Sequence, residues 1–245
     1  MSEKKLEGAG LRGQVAGKTS LSTVGKAGKG LTYRGYPIEV LSEKAKFEEV
    51  AYLLMYGSLP NKDEYENYSS KLISMRSLPN PILEVLERIP ASAHPMDVMR
   101  TGCSMLGNIE PEGEFSNQQE SADRILATMA SIIVYWYKYS HEGKKVNTSS
   151  DYETIGGHFL SLLHGDEPSE DHIRCLDTSL ILYAEHGFNA STFTARTCAS
   201  TLSDIHSCIT GAIGTLRGPL HGGANEAAME LIEPVSYTHL TLPTI

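Results

Sequence analysis

Two histidines lie in surroundings suited to chemistry. Glu185-His186-Gly187-Phe188-Asn189-Ala190-Ser191-Thr192 and Gly218-Pro219-Leu220-His221-Gly222-Gly223-Ala224-Asn225 are separated by a run with helical periodicity. Within that run, Ala195, Cys198, Ala199, Leu202, His206, Ile209, Ala212, Ile213 and Leu216 recur in a three-and-four rhythm. The spacing predicts one helix over 195–216 with a single buried face. Gly218-Pro219 stops it, because proline has no backbone donor and disfavours helix for the residue before it. Gly222-Gly223 then lets the chain turn before a further helix expected over 224–232, placing His221 just ahead of a helix start. A helix start offers unpaired N–H groups and partial positive charge. An imidazole placed there is suited to donate a hydrogen bond to a carbonyl. An ordinary loop histidine beside two glycines is the plain alternative, and this loop by itself leaves it open.

Taken together, the two segments resemble the citrate synthase family. Leu182-Tyr183-Ala184-Glu185-His186-Gly187-Phe188-Asn189-Ala190-Ser191-Thr192-Phe193-Thr194-Ala195-Arg196 looks most like its bacterial 2-methylcitrate synthase branch. Gly218-Pro219-Leu220-His221-Gly222-Gly223-Ala224-Asn225-Glu226 is similar to the family's first catalytic-histidine segment. Three further stretches resemble it: residues 30–38 around Tyr33-Arg34-Gly35, residues 47–60, and the helix start His94-Pro95-Met96. The resemblance implies an all-α fold, a citrate-synthase-like large helical domain with a small N-terminal β element. It also implies condensation of an acyl-CoA with oxaloacetate followed by thioester hydrolysis, with acyl-CoA a substrate and no cofactor required.

On that resemblance His221 is catalytic, donating a hydrogen bond to the thioester carbonyl while an aspartate removes the α-proton. His186 binds oxaloacetate, and Asn189 and Ser191 support the substrate or the His221 ring. Propionyl-CoA is the favoured acyl donor and acetyl-CoA the runner-up, since a methylene is worth roughly 1–3 kcal/mol in an apolar pocket. The family's helices pack across a two-fold axis, so a homodimer is expected. A non-catalytic helical dimerisation module is the alternative of a different class. In the family, the second catalytic histidine, the catalytic aspartate and the substrate-binding arginines come later in the sequence, beyond Pro234.

The elements that must position these residues follow from periodicity and breakers. Helices are expected over 63–78, 81–88, 96–106, 118–139, 155–163 and 170–183, with breaks where Gly, Pro, Asp and Ser gather. Phe47, Val50, Ala51, Leu54 and Met55 predict another helix, with Glu48 and Glu49 on its opposite face and Gly57 and Pro60 ending it. Pro95 suits a first helical turn and Asp97 suits its positive end. Short strands are expected at 19–24 and 31–33, joined by a glycine-rich turn.

The expected organisation is a β-containing segment of the large domain at 1–38, the large helical domain at 39–221, and the start of a small domain at 222–234. After Pro234 the helical patterning stops, and Val235–Ile245 looks like a translated sequencing adapter. Most of the small domain is then expected to be missing, and the chain to be inactive alone.

Composition narrows the classes further. The 245 residues are 40% hydrophobic and 21% charged, as in a globular protein. A net charge of -9 argues against a nucleic-acid surface, which needs a basic patch. The apolar run Ile125–Tyr137 is too short to span a bilayer, and the first residues lack the apolar core of a signal peptide. A cytoplasmic protein with no membrane partner is expected.

Cys103, Cys175, Cys198 and Cys208 are scattered with no C-x-x-C pair and are read as buried free thiols. His158, His164, His172 and His206 form no His-Glu-x-x-His set, so no metal is expected. Gly17-Lys18-Thr19 approaches a phosphate loop, but its first glycine would fall at Arg12 and no apolar strand precedes it. Arg196 and Arg217 flank the site segments, and each is equally suited to a carboxylate partner or a helix-terminal role.

Overall fold

The computed structural model describes residues 17–24 and 30–223. The helix expected over 224–232, the remainder of the small-domain segment and the suspected adapter at 235–245 lie outside them. Within them the chain is mostly helix behind a small antiparallel meander. β1 (Ser22–Thr23), β2 (Thr32–Tyr33) and β3 (Tyr36–Pro37) pair in sequence order, with Ser22 opposite Tyr33. β3 was not anticipated. It arises because Arg34 and Gly35 both take positive φ, 49° and 93°, and reverse the chain tightly.

Ten α-helices follow among the described residues: α1 (Ile38–Lys44), α2 (Phe47–Tyr56), α3 (Lys62–Ser74), α4 (Asn80–Leu86), α5 (Pro95–Ile109), α6 (Gln118–Glu142), α7 (Ile155–His164), α8 (Glu170–Tyr183), α9 (Ala190–Ala199) and α10 (Ile205–Leu216). Seven match the helices expected between residues 47 and 183, with ends shifted by a few residues. α1 was not anticipated; it begins directly after Pro37 at the end of the meander. His94 caps α5, its Nδ1 accepting the Met96 N–H at 3.1 Å, with Pro95 in the first turn.

The expected helix over 195–216 is two helices instead. α9 and α10 are separated at residues 200–204, where Leu202 adopts φ 63° and Asp204 caps α10 by accepting the Ser207 N–H at 2.9 Å. Thr194 and Thr215 touch through their hydroxyls at 2.9 Å, so the pair forms an antiparallel hairpin. The apolar rhythm ran through both arms, although only α10 buries side chains fully, His206, Cys208 and Ile213, while α9 packs against it half-buried. The break carries neither Gly nor Pro, and the Asp204 cap is its local signal.

Two apolar clusters meet along α6. One gathers Tyr33, Leu41, Phe47, Val50, Leu53 and Leu72 with Ala127, Ile155 and Ile181. The other gathers Ile82, Leu86, Val98, Leu106, Ile132, Trp136 and Ile213. α6 lends Ala127 to the first and Ile125, Ile132, Tyr135 and Trp136 to the second, so its 25 residues form the spine of the scaffold. Gly102 lets α5 approach that spine, since a Cβ there would lie 2.5 Å from Ile132. No helix among the described residues is long and apolar enough to cross a membrane.

Two readings of individual side chains are corrected. Glu48 is not on a solvated face: it is 0% exposed and accepts the Ile155 N–H at 2.6 Å. Nor are all four free thiols buried, for Cys175 is exposed while Cys103 and Cys208 lie inside.

Candidate functional site

α8 is capped by Ser169, whose hydroxyl accepts the His172 N–H, and runs to Tyr183. Its last carbonyls are met from the meander: the Tyr33 hydroxyl donates to Ile181 O at 2.9 Å. The connection to α9 carries His186. Gly187 has φ 72° and turns the chain directly after the histidine. Its N–H donates at 2.6 Å to Glu185 Oε1, which also accepts the Ser22 hydroxyl at 3.0 Å. His186 itself is exposed. It opens on a cavity of about 580 Å³ lined also by Lys18, Ser22, Thr23, Val24 and Phe188. Lys18 and Thr19, noted in the sequence for a phosphate-loop resemblance, also line this cavity.

Asn189 caps α9, its Oδ1 accepting the Thr192 N–H at 2.9 Å and the Ser191 hydroxyl at 2.8 Å. His221 reaches the same point from the other side. After α10 the chain makes a compact turn in which Leu216 O accepts Gly222 N–H at 2.9 Å and Gly218 O accepts His221 N–H at 3.0 Å. A Cβ at Gly222 would sit 2.2 Å from Leu216 O, so this turn requires glycine there. The turn places His221 Nε2 3.3 Å from the Ser191 N–H and 3.0 Å from Ser191 Oγ.

His221, Ser191 and Asn189 therefore form one hydrogen-bonded chain, and His186 lies three residues before its Asn189 end. The helix start beside the His221 ring is that of α9. The sequence suggested the helix following His221, which lies outside the described residues. We assign the His221 tautomer from the Ser191 amide. A backbone N–H can only donate, so Nε2 accepts and the ring proton of a neutral imidazole sits on Nδ1. Nδ1 is then the donor this ring offers to an incoming carbonyl.

The two arginines left outside the site stay at its edge. Arg196 stacks on the Phe188 ring at 4.9 Å, and Arg217 Nε pairs with Asp97 at 3.4 Å. No group of His, Cys, Asp and Glu residues suited to a metal ion occurs among the described residues. Ser22 and Tyr33 were missed by sequence reasoning as neighbours of the site. Their ties run over more than 140 residues of chain, and no local spacing announces them.

Comparison with known proteins places the chain. A sequence profile described as "Citrate synthase, C-terminal domain" matches residues 10–241. A 2-methylcitrate synthase of Shewanella oneidensis is 67% identical over 94% of this chain and 61% of its own length. Citrate synthase 2 of Bacillus subtilis is 39% identical over 96% of this chain and 64% of its own. Among solved structures, the citrate synthase of Thermoplasma acidophilum, in ternary complex with carboxymethyl coenzyme A and oxaloacetate, superposes with a TM-score of 0.84. It is 26% identical and covered over 60% of its length, by 92% of this chain. The chain thus spans about three fifths of the relatives it matches. By sequence and by fold, the chain belongs to the citrate synthase family.

Proposed function

We propose that this chain serves a 2-methylcitrate synthase, joining propionyl-CoA, oxaloacetate and water to give 2-methylcitrate and free coenzyme A. The observation that carries this reading is the 67% identity with the Shewanella 2-methylcitrate synthase. The site geometry supports it chemically. His221, with Nε2 turned to the Ser191 amide, offers Nδ1–H to the thioester oxygen, where negative charge grows as the α-proton leaves. Asn189 and Ser191 hold that ring. His186, exposed on its own cavity, receives oxaloacetate. The aspartate that takes the proton, and the arginines that grip the carboxylates, belong to the family's later sequence.

A homodimer forms part of the same proposal. Along the seam between α5 and α10, small and polar residues, Ser104, Asn108, Ser207, Thr210 and Gly211, line an open cavity of about 560 Å³. Such a face admits close helix packing from a second copy. A cytoplasmic location fits the chain's composition. Citrate synthase activity with acetyl-CoA is the second reading, favoured by the 39% identity with Bacillus subtilis citrate synthase 2.

The test joins residues 1–234 to the remaining C-terminal part of the Shewanella relative and follows oxaloacetate-dependent release of coenzyme A. A higher kcat/KM for propionyl-CoA than for acetyl-CoA is expected, with no turnover from the chain alone. The reverse preference makes it a citrate synthase. Release with neither acyl-CoA, beside an active Shewanella enzyme, removes the enzyme reading and leaves the helical dimerisation module. In the active chimera, His221→Ala should lower kcat by about 10²- to 10³-fold, the usual loss for one oxyanion donor.

A further inference from the structure

His186 is an exposed side chain on a loop, and among the described residues its ring makes no hydrogen bond. A substrate-binding imidazole in that situation is aimed by its backbone, so the groups holding the loop decide how well it is pre-organised. Both sequence neighbours of His186 are held by the same place in the fold. On one side, Glu185 N–H donates to the Tyr33 hydroxyl at 3.3 Å, while that hydroxyl donates to Ile181 O at 2.9 Å. On the other, Gly187 N–H donates at 2.6 Å to Glu185 Oε1, which is fixed by the Ser22 hydroxyl at 3.0 Å. Ser22 and Tyr33 are directly opposite one another in the β1–β2 ladder. Side chains of such a pair share one face of the sheet and stand close together. One cross-strand pair therefore holds the loop on both sides of the histidine.

We propose that Ser22 and Tyr33, acting through Glu185, are positioning residues that set the His186 imidazole for oxaloacetate. This rests on the reading of His186 given above. The geometry of the meander supports this: Tyr33 is 0% exposed and its bond to Ile181 O is buried, while Ser22, 8% exposed, meets Glu185 at the wall of the His186 cavity. Between them, Gly187 at φ 72° supplies the reversal, which lets its N–H point back to the preceding carboxylate. Thr23 and Thr32 make a hydroxyl contact of their own at 2.5 Å in the same two strands, and among the described residues neither side chain hydrogen-bonds the loop. They provide an internal comparison, since their loss weakens the meander without releasing His186.

Two measurements test the proposal. In this chain, Ser22→Ala and Tyr33→Phe should speed amide hydrogen exchange at Gly187 and Glu185 by about tenfold, the effect of one lost buried hydrogen bond. The α10 amides should not change. Ser22→Thr and Glu185→Gln, which keep the donor and the acceptor, should restore protection. In the chimera, Ser22→Ala should raise KM for oxaloacetate by about tenfold while kcat and KM for the acyl-CoA stay within about twofold. Thr32→Val should leave KM for oxaloacetate in place.

Unchanged exchange at Gly187 in Ser22→Ala overturns the proposal. So does a parallel fall of kcat and melting temperature in Ser22→Ala and Thr32→Val alike, because a merely structural meander would give that pattern. If His186→Ala leaves KM for oxaloacetate unchanged, the site reading itself falls and takes this inference with it. A normal His186→Ala effect beside an unmoved Ser22→Ala sinks the inference alone.

Discussion

Around α2, α7 and α8, ionisable side chains lie wholly inside the protein, whereas α9, which carries the proposed site, buries no side chain at all. In the first region Glu48, Arg76 and His158 are each 0% exposed and Asp177 8%. Arg76 Nη1 donates to Ser150 O at 3.2 Å and Tyr152 O at 2.5 Å. His158 bonds Ser131 at 3.0 Å and Ser150 at 2.8 Å. These contacts tie the 148–155 segment and the α7 start to α2, α3 and α6. In the second region, position is set by caps and single hydroxyls at the surface: Asn189 on α9, Asp204 on α10, Ser191 on His221. The scaffold end resists change because its polar groups have nowhere else to go. The site end keeps groups that can exchange partners, as a substrate-binding surface must.

The contrast breaks most sharply at Arg76. Arg76→Met removes the guanidinium from Ser150 O and Tyr152 O and leaves Glu48 without its nearby cation. The expected loss is about 3–5 kcal/mol, the scale for breaking a buried charge arrangement from one side. Urea denaturation measures it. A loss below about 1 kcal/mol would mean that water replaces the side chain and that this interior is not sealed.

Next in size is a pH effect. Burial pushes the Glu48 carboxyl up to about 7 from 4.5, and neighbouring Asp177 adds to the rise; the Ile155 N–H and Arg76 pull the other way. A carboxyl with a raised folded-state pKa favours folding at low pH and loses that contribution as pH climbs toward the folded value. Between about pH 4.5 and 7, then, stability should fall by about 3 kcal/mol on account of this group. Asp177, also raised by burial, acts in the same direction. Glu48→Gln keeps an acceptor for Ile155 N–H and removes the ionisation. Its urea midpoint should vary less from pH 5 to 8 and exceed that of the parent at pH 8. Parallel curves for parent and variant would show that Glu48 titrates as an exposed carboxyl.

At the site end the expected effects are smaller. Asn189→Ala removes the acceptor for Thr192 N–H and for the Ser191 hydroxyl, at a cost of about 1 kcal/mol, typical of a lost helix cap. Asn189→Asp, which keeps the cap, should recover most of it. A loss for Asn189→Ala as large as that at Arg76 would erase the distinction between the two regions.

How much of this was legible beforehand depends on where each signal lies. Breakers and apolar spacing are local, so the α5 start at Pro95 and Asp97, the end of α2 at Gly57 and the breaks between the later helices could be found from neighbouring residues alone. The pairing of His221 with the His186 segment was legible only through family resemblance. The structure supplies its physical form, Ser191 and Asn189 at the α9 start. Glu48 was misread because a carboxylate on a helix is ordinarily solvated, and its partner, the Ile155 amide, is 107 residues away. The Ser22 and Tyr33 ties share that difficulty. The α9–α10 hairpin was misread for the opposite reason: the local pattern was strong, but two antiparallel arms that pack on each other give the same rhythm as one helix.

The tip of that hairpin offers the finest test. Leu202 adopts φ 63° and is 90% exposed, so it bears backbone strain without side-chain burial to offset it. Leu202→Gly should relieve the strain and raise stability by about 0.5–1 kcal/mol, net of the greater freedom glycine has when unfolded. Leu202→Ala keeps the strain and loses little contact, so its urea midpoint should match the parent's within about 0.5 kcal/mol. Dilute protein is the condition that matters, because a second copy packed on the α5 and α10 face could also cover this tip. If Leu202→Ala destabilises the protein only at high concentration, and by more than about 1 kcal/mol, the leucine is buried between copies. The exposed region would then be the inner face of a dimer, and the contrast between sealed scaffold and open site would hold only for the separated chain.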